Sequence, residues 1–218
     1  EQAYRDALRC DPNDAAAYYN LGNLLADDAG RRGEAEQAYR DALRCDPNDA
    51  AAYSNLGVLL RQTGRPKEAE TVYRSGLKIK PDDTGLQSRL AFLLRLQGRP
   101  SEAIPFLAAL LRTEPDNFDP PLALASIHRY LGDSDASARH AALARPLIPA
   151  DDDYNLACLE SVCGNTESAL DHLRRAATRP DFDRDWPWQD PDLQWLLTDP
   201  RFEAIVGGRP RKEDAGST

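Results

Sequence analysis

Three arginines recur at a fixed step. Arg61, Arg95 and Arg129 stand 34 residues apart. A row of guanidinium groups suits carboxylates, because each planar fork can donate two parallel hydrogen bonds. Asparagines form a second set: Asn20, Asn55 and Asn155 share one recurring position, with Arg89 and Ala123 standing in between. An amide both donates and accepts, so such a row can hold a peptide backbone or bond locally across neighbouring helices. The arginines are open to two readings as well, a binding row or a solvated rim paired with Glu and Asp of the next repeat. Covalent chemistry has no comparable set. His128, His140 and His172 show no His-x-x-x-His spacing and no carboxylate at ligand spacing. His140 and His172 fall at one position of two repeats and read as exposed. No Gly-x-Gly-x-x-Gly or phosphate-loop pattern occurs. Asp151-Asp152-Asp153 reads as a helix cap with first-turn acids rather than a metal site. The residues point to binding, not catalysis, and call for no cofactor or metal.

The same interval runs through most of the chain. Tyr18-Tyr19-Asn20-Leu21-Gly22 returns as Tyr53-Ser54-Asn55-Leu56-Gly57, with weaker echoes ending at Ala91, Ala125 and Ala157. Pro12, Pro47, Pro81, Pro115 and Pro149 step by 35, 34, 34 and 34. Residues 1–18 repeat residues 36–53 letter for letter. A period of this length marks a helical array. Five repeats, 15–47, 50–81, 84–115, 118–149 and 150–181, make up an array over 13–181, each read as two antiparallel helices. In the second, Leu56, Leu59 and Leu60 fall on one helical face. Gly57 admits the partner helix, Gly64 ends the first helix, and Pro66 opens the second. Pro105 is expected to kink its helix. Pro120-Pro121 fit only a first helical turn, and Arg145-Pro146 closes the fourth repeat early.

These residues resemble the tetratricopeptide repeat family. Tyr53, Leu56, Gly57, Gly64, Ala69, Tyr73, Leu77 and Pro81 carry nearly the whole family pattern, and the first repeat has one extra residue in the turn Ala29–Gly33. The resemblance implies an all-α right-handed α-solenoid whose first helices line a concave groove. It also implies a protein-interaction scaffold, with Asn20, Asn23, Asn55, Arg61, Arg89, Arg95, Arg129 and Asn155 as the candidate peptide-binding residues. The carboxylate-clamp pattern of co-chaperone repeats is matched by Asn23, Asn55 and Arg89, while Tyr19 and Gly85 stand where its lysines would. The arginines make an acidic protein or peptide the expected partner. The other reading is a recognition or regulatory arm of a larger enzyme such as a glycosyltransferase, kinase or protease.

The chain has 218 residues and a formal net charge of −9, which argues against a nucleic-acid partner. No run of 18 apolar residues suggests a membrane span, and no leader pattern is visible. Residues 1–12 read as the second helix of a repeat whose first helix is missing, so an open N-terminal helix could mediate self-association. Cys10, Cys45, Cys158 and Cys163 read as small buried thiols, which fits a reducing, cytoplasmic location. Residues 182–206 hold all three tryptophans and read as a cap over the last repeat. Within it Leu193, Leu196 and Leu197 are expected on a short helix, flanked by turns at Asp190-Pro191 and Asp199-Pro200. Residues 207–218 read as a disordered tail.

Overall fold

The computed structural model describes residues 1–210, so 211–218 of the expected tail lie outside the described residues. Among these residues there are twelve α-helices and no strand. The chain divides into two compact units, residues 1–93 and the residues from Leu94 on. The N-terminal unit holds α1 (Gln2–Cys10), α2 (Ala15–Ala26), α3 (Arg32–Cys45), α4 (Ala50–Gln62), α5 (Pro66–Ile79) and most of α6 (Thr84–Leu96). The C-terminal unit holds α7 (Pro100–Thr113), α8 (Asp119–Tyr130), α9 (Ser134–Ala144), α10 (Asp153–Cys163), α11 (Thr166–Ala176) and α12 (Pro200–Val206).

The helix pairs form where local chemistry asks for them. Asp14, Asp49 and Asp152 each accept backbone N–H bonds at the start of a first helix, as caps do. Gly64 and Gly164 end α4 and α10 in the left-handed region, at φ 75° and 84°, where a side chain is disfavoured. Each is followed by a backbone bond reaching back to residue 60 or 160, which closes the helix end. The extra residue of the first repeat changes this turn. There Ala29–Arg31 form a 3₁₀ turn capped by Asp28 in place of a left-handed glycine. Inside the pairs, Tyr39 and Tyr73 are 2% and 1% exposed. Their rings lie flat against Gly22 and Gly57, and a Cβ at Gly22 would sit 2.7 Å from the Tyr39 ring. A larger residue there would push the two helices apart.

Both expected prolines open helices: Pro66 and Pro100 sit at the first turns of α5 and α7. Pro120-Pro121 lie in the first turn of α8. Helix α7 nevertheless runs through Pro105 to Thr113. Arg145–Leu147 form a 3₁₀ turn that closes α9.

The end of the chain departs from expectation. No helix forms at 193–197; residues 191–199 are a succession of turns. The helix starts later, at Pro200, with Asp199 as its cap. Two X-Pro steps nine residues apart leave room for turns between them but not for a capped helix. Leu193 and Leu196 are still buried, at 0% and 1% exposure. With Phe202 and Val206 they share one apolar core with Leu159, Val162, Leu170 and Leu173 of α10 and α11. Burying four such side chains contributes roughly 6–12 kcal/mol before entropy. The segment is therefore an integral part of the C-terminal unit.

Candidate functional site

In the N-terminal unit the first helices α2 and α4 are joined by a polar network. The Tyr39 hydroxyl donates to Asn23 Oδ1 at 2.9 Å. Asn55 Nδ2 donates to the same oxygen at 2.8 Å and to the Tyr19 hydroxyl at 3.2 Å. Burial, with the neighbouring Tyr19, pushes the Tyr39 hydroxyl up to about 12, so it stays a neutral donor. Asn20 occupies the position equivalent to Asn55 but is exposed. Arg89 is also exposed and donates through Nε to Ser54 Oγ at 2.6 Å. The Arg61 guanidinium lies 5.6 Å from the centre of the Phe92 ring, a cation–π contact.

Below the asparagines is a cavity of about 550 Å³, lined among others by Asn23, Asp27, Arg32, Tyr39, Asn55 and Gln62. Arg32 was not singled out by the sequence. It sits at the first position of α3, in the lengthened turn of the first repeat. Its Nε is closed off from solvent and has no hydrogen-bond partner among the described residues. An unmatched buried donor costs about 1–3 kcal/mol. Its neighbour Arg31 is fully occupied, paired with Glu1 at 2.7 Å and Glu34 at 2.9 Å.

The C-terminal unit uses its predicted site residues differently. Arg95 forms an ion pair with Asp192, and the two side chains are 8% and 11% exposed. Arg129 donates to the carbonyls of Ser161 and, at 2.7 Å, Val162. Its guanidinium stacks 4.3 Å from the centre of the Trp195 ring. Desolvation accordingly lowers the pKa of Arg129. The Tyr154 hydroxyl donates to Asp190 at 2.8 Å, and the Cys158 thiol lies 3.7 Å from the same carboxylate. Burial, and then the charge of Asp192, pushes Asp190 up to about 6. Asn155 bonds Asp152 at 2.7 Å, at the cap of α10. Thus residues 190–195 lie across α6, α8 and α10 of this unit, while Arg201 at the start of α12 pairs with Glu167 of α11 at 2.8 Å.

Two expectations change as a result. Arg61, Arg95 and Arg129 do not form one free row, because Arg95 and Arg129 are consumed by the chain's own aspartate and tryptophan. Asn20, Asn55 and Asn155 do not form one ladder either: the first is exposed, the second bridges repeats and the third braces a cap. The signal for this lay in the C-terminal stretch, where six aspartates and three tryptophans fall between residues 181 and 199. That is the composition the arginines call for.

The remaining titratable groups also differ in part. His140 is half-buried, not exposed, and stacks on His128 with ring centres 5.3 Å apart. His172 is half-buried too and bonds Asp153 at 2.8 Å, so it does have a carboxylate partner. Asp152 caps α10 through the Asn155 N–H, as read from the sequence. All four cysteines are free, but Cys158 alone is buried; Cys10 and Cys163 are exposed at the last positions of α1 and α10. No group of three or more potential metal ligands occurs among the described residues. No described helix is long and apolar enough to cross a membrane.

Charge separates the units as well. Residues 1–93 carry 13 basic and 15 acidic side chains, a net −2, whereas residues 94–218 carry 14 and 21, a net −7.

Comparison with known proteins finds tetratricopeptide repeats in the N-terminal part of the chain. Residues 3–38 and 24–84 match two family models, each described as tetratricopeptide repeat. Among solved structures, YrrB, described as a TPR protein with an unusual peptide-binding site, is 24% identical with a TM-score of 0.61; the match covers 82% of this chain and 93% of YrrB. PilF of Pseudomonas aeruginosa is 18% identical with a TM-score of 0.64, over 80% of each chain. PilW, described as a widely conserved type IV pilus biogenesis factor, is 20% identical with a TM-score of 0.63, over 90% of this chain and 89% of PilW. No curated protein matches.

Proposed function

The chain is built of tetratricopeptide repeats, and on that premise we propose that it is a non-catalytic protein-interaction scaffold that holds a partner segment on the first-helix face of its N-terminal unit. The observation that carries this reading is the hydrogen-bonded pair Asn23 and Asn55 of α2 and α4, both lining a polar cavity; Asn20, Arg61 and Arg89 stand on first helices of the same unit. Amides suit an extended backbone. YrrB, of similar fold, is described as having an unusual peptide-binding site. Arg95, Arg129 and Asn155 are left out of the proposed surface, since their hydrogen-bonding capacity is spent inside the C-terminal unit.

The partner segment is acidic in this reading. The N-terminal unit carries far less negative charge than the other, and the C-terminal unit already matches arginine with aspartate and tryptophan. Four free thiols favour a cytoplasmic setting. A second contact, between copies, is favoured at α1, which buries no residue of its own and leaves Tyr4, Ala7 and Leu8 half-buried. Light scattering over a concentration series would then show dimers that a Leu8→Glu variant loses; a monomer at all concentrations removes this contact.

Hydrogen exchange on the complex with a partner recovered from the source cell tests the main reading. Slowed exchange in α2, α4 and the start of α6 is expected. Slowing confined to residues 100–206, or none at all, would overturn it.

A further inference from the structure

We propose that the cavity under the Asn23–Asn55 bridge is an anchoring pocket for one acidic side chain of the partner segment, with Arg32 as its recognition residue. The inference rests on the reading that a partner segment lies on this face, and it adds a position and a chemistry. Three observations converge. Arg32 Nε is buried and unpartnered, and no ion pair or hydrogen bond of the Arg32 side chain exists among the described residues. Every other arginine near the lengthened turn is matched: Arg31 holds Glu1 and Glu34, and Arg65 holds Glu36 and Glu68. The cavity is roomy enough for a side chain and is mostly polar in its lining, which includes Asn23, Asn55 and Gln62 besides Arg32.

The chemistry follows from the donors. The two terminal nitrogens of Arg32, which unlike Nε are not closed off from solvent, offer N–H groups in one plane, a geometry that a carboxylate accepts with both oxygens. Asn23 Oδ1 already accepts from Tyr39 and Asn55. That leaves the Asn55 carbonyl oxygen, the Asn23 amide nitrogen and Gln62 for the rest of the segment. Asp27 lies on the same wall. It repels a second acid and can accept a backbone N–H, so the pocket takes a single carboxylate flanked by neutral residues. A phosphate group, bulkier and doubly charged, is disfavoured beside Asp27.

The rest of the chain uses the same match. Where Arg95 is enclosed in the C-terminal unit, Asp192 completes it. Arg32, half-buried in the N-terminal unit, has no such acid.

A random decapeptide display library, panned against the whole chain, supplies the probe. Selected peptides are titrated against the parent and against Arg32→Gln, Arg32→Lys and Arg89→Ala variants, each checked by circular dichroism and melting. The expected result is one fixed Asp or Glu among the binders. Arg32→Gln should weaken binding ten- to a hundred-fold, and Arg32→Lys by less, because it keeps the charge and loses the fork. A peptide with Gln at the fixed position should bind parent and Arg32→Gln equally. Binders without an acidic preference, or bound equally by Arg32→Gln while Arg89→Ala weakens them, overturn the pocket and leave the face. Failure to select any binder, or binders indifferent to both variants, overturns the face and the pocket together.

Discussion

The two units meet the same chemical demand in opposite ways. In the C-terminal unit the end of α6 and the first helices α8 and α10 bear a segment of their own chain: Asp192 on Arg95, Trp195 on Arg129, Asp190 on Tyr154. In the N-terminal unit α2 and α4 carry amides that bond one another, α6 an exposed Arg89 and α3 an Arg32 without an acid. The difference teaches what a repeat scaffold can do with one face. Where burial of four large apolar side chains comes with the segment, the face becomes core. Where nothing apolar comes with it, the polar groups remain available. The magnitudes decide the matter: roughly 6–12 kcal/mol of apolar burial is of the order of a whole domain's stability, so no peptide of ordinary affinity would displace residues 190–206.

The comparison breaks if the segment can be removed without loss. Deleting residues 183–218 should abolish cooperative unfolding of the C-terminal unit and leave it aggregation-prone, while amide protection in α2–α5 persists. An unchanged melting profile would show that the segment is an accessory and the two faces are alike. Next in size is the enclosed ion pair. Arg95→Ala strands Asp192 at 11% side-chain exposure and should cost about 3–5 kcal/mol, and replacing both partners by apolar residues should recover most of that loss. Denaturant unfolding of the single and double variants measures it. Equal, small effects for both would mean the pair is solvated.

A pH series sharpens the contrast further. Asp190 is held at about 6 in the folded chain, above the ordinary aspartate value of about 3.9. Its raised pKa favours the folded state fully below the unfolded value, and that contribution is lost as pH rises through 6. Asp190→Asn keeps an acceptor and carries no charge. It should therefore be more stable than the parent at pH 7, with the gap closing between pH 6 and pH 4. A gap that is constant with pH would place the charge of Asp190 in solvent. The smallest effect belongs to the open face. Arg89→Ala should alter stability by less than about 1 kcal/mol, as exposed polar contacts do, and should register only in partner binding.

Much of the fold is legible in the letters, because the repeat states it several times. Tyr39 and Tyr73 over Gly22 and Gly57, Gly64 at its left-handed turn and Pro66 at a helix start follow from local rules that recur every 34 or 35 residues. What occurs once is hard to read. The turns at 191–199 read as a helix in the sequence, since Leu193, Leu196 and Leu197 have helical spacing and only tertiary burial shows that turns can seat the first two equally well. The site suffers from the same limit. Repeat position places Arg61, Arg95 and Arg129 in register, but register says nothing of what lies on top of them. Arg32 escaped notice because it sits in the one turn that breaks the period.

One feature has a bearing on how such chains change over time. Residues 1–18 and 36–53 are identical in sequence, yet α1 buries nothing whereas α3 buries Ala35, Ala38, Tyr39 and Ala42. The same eighteen letters form α1 and the start of α2 in one copy, and most of α3 and the start of α4 in the other. Their fold depends on which neighbour arrives, not on being rewritten for each place. A stretch bounded by Asp14 and Asp49, each capping its own helix, can be copied or lost as one block of 35 residues without disturbing the register on either side. Array length is therefore the trait this architecture leaves freest to change.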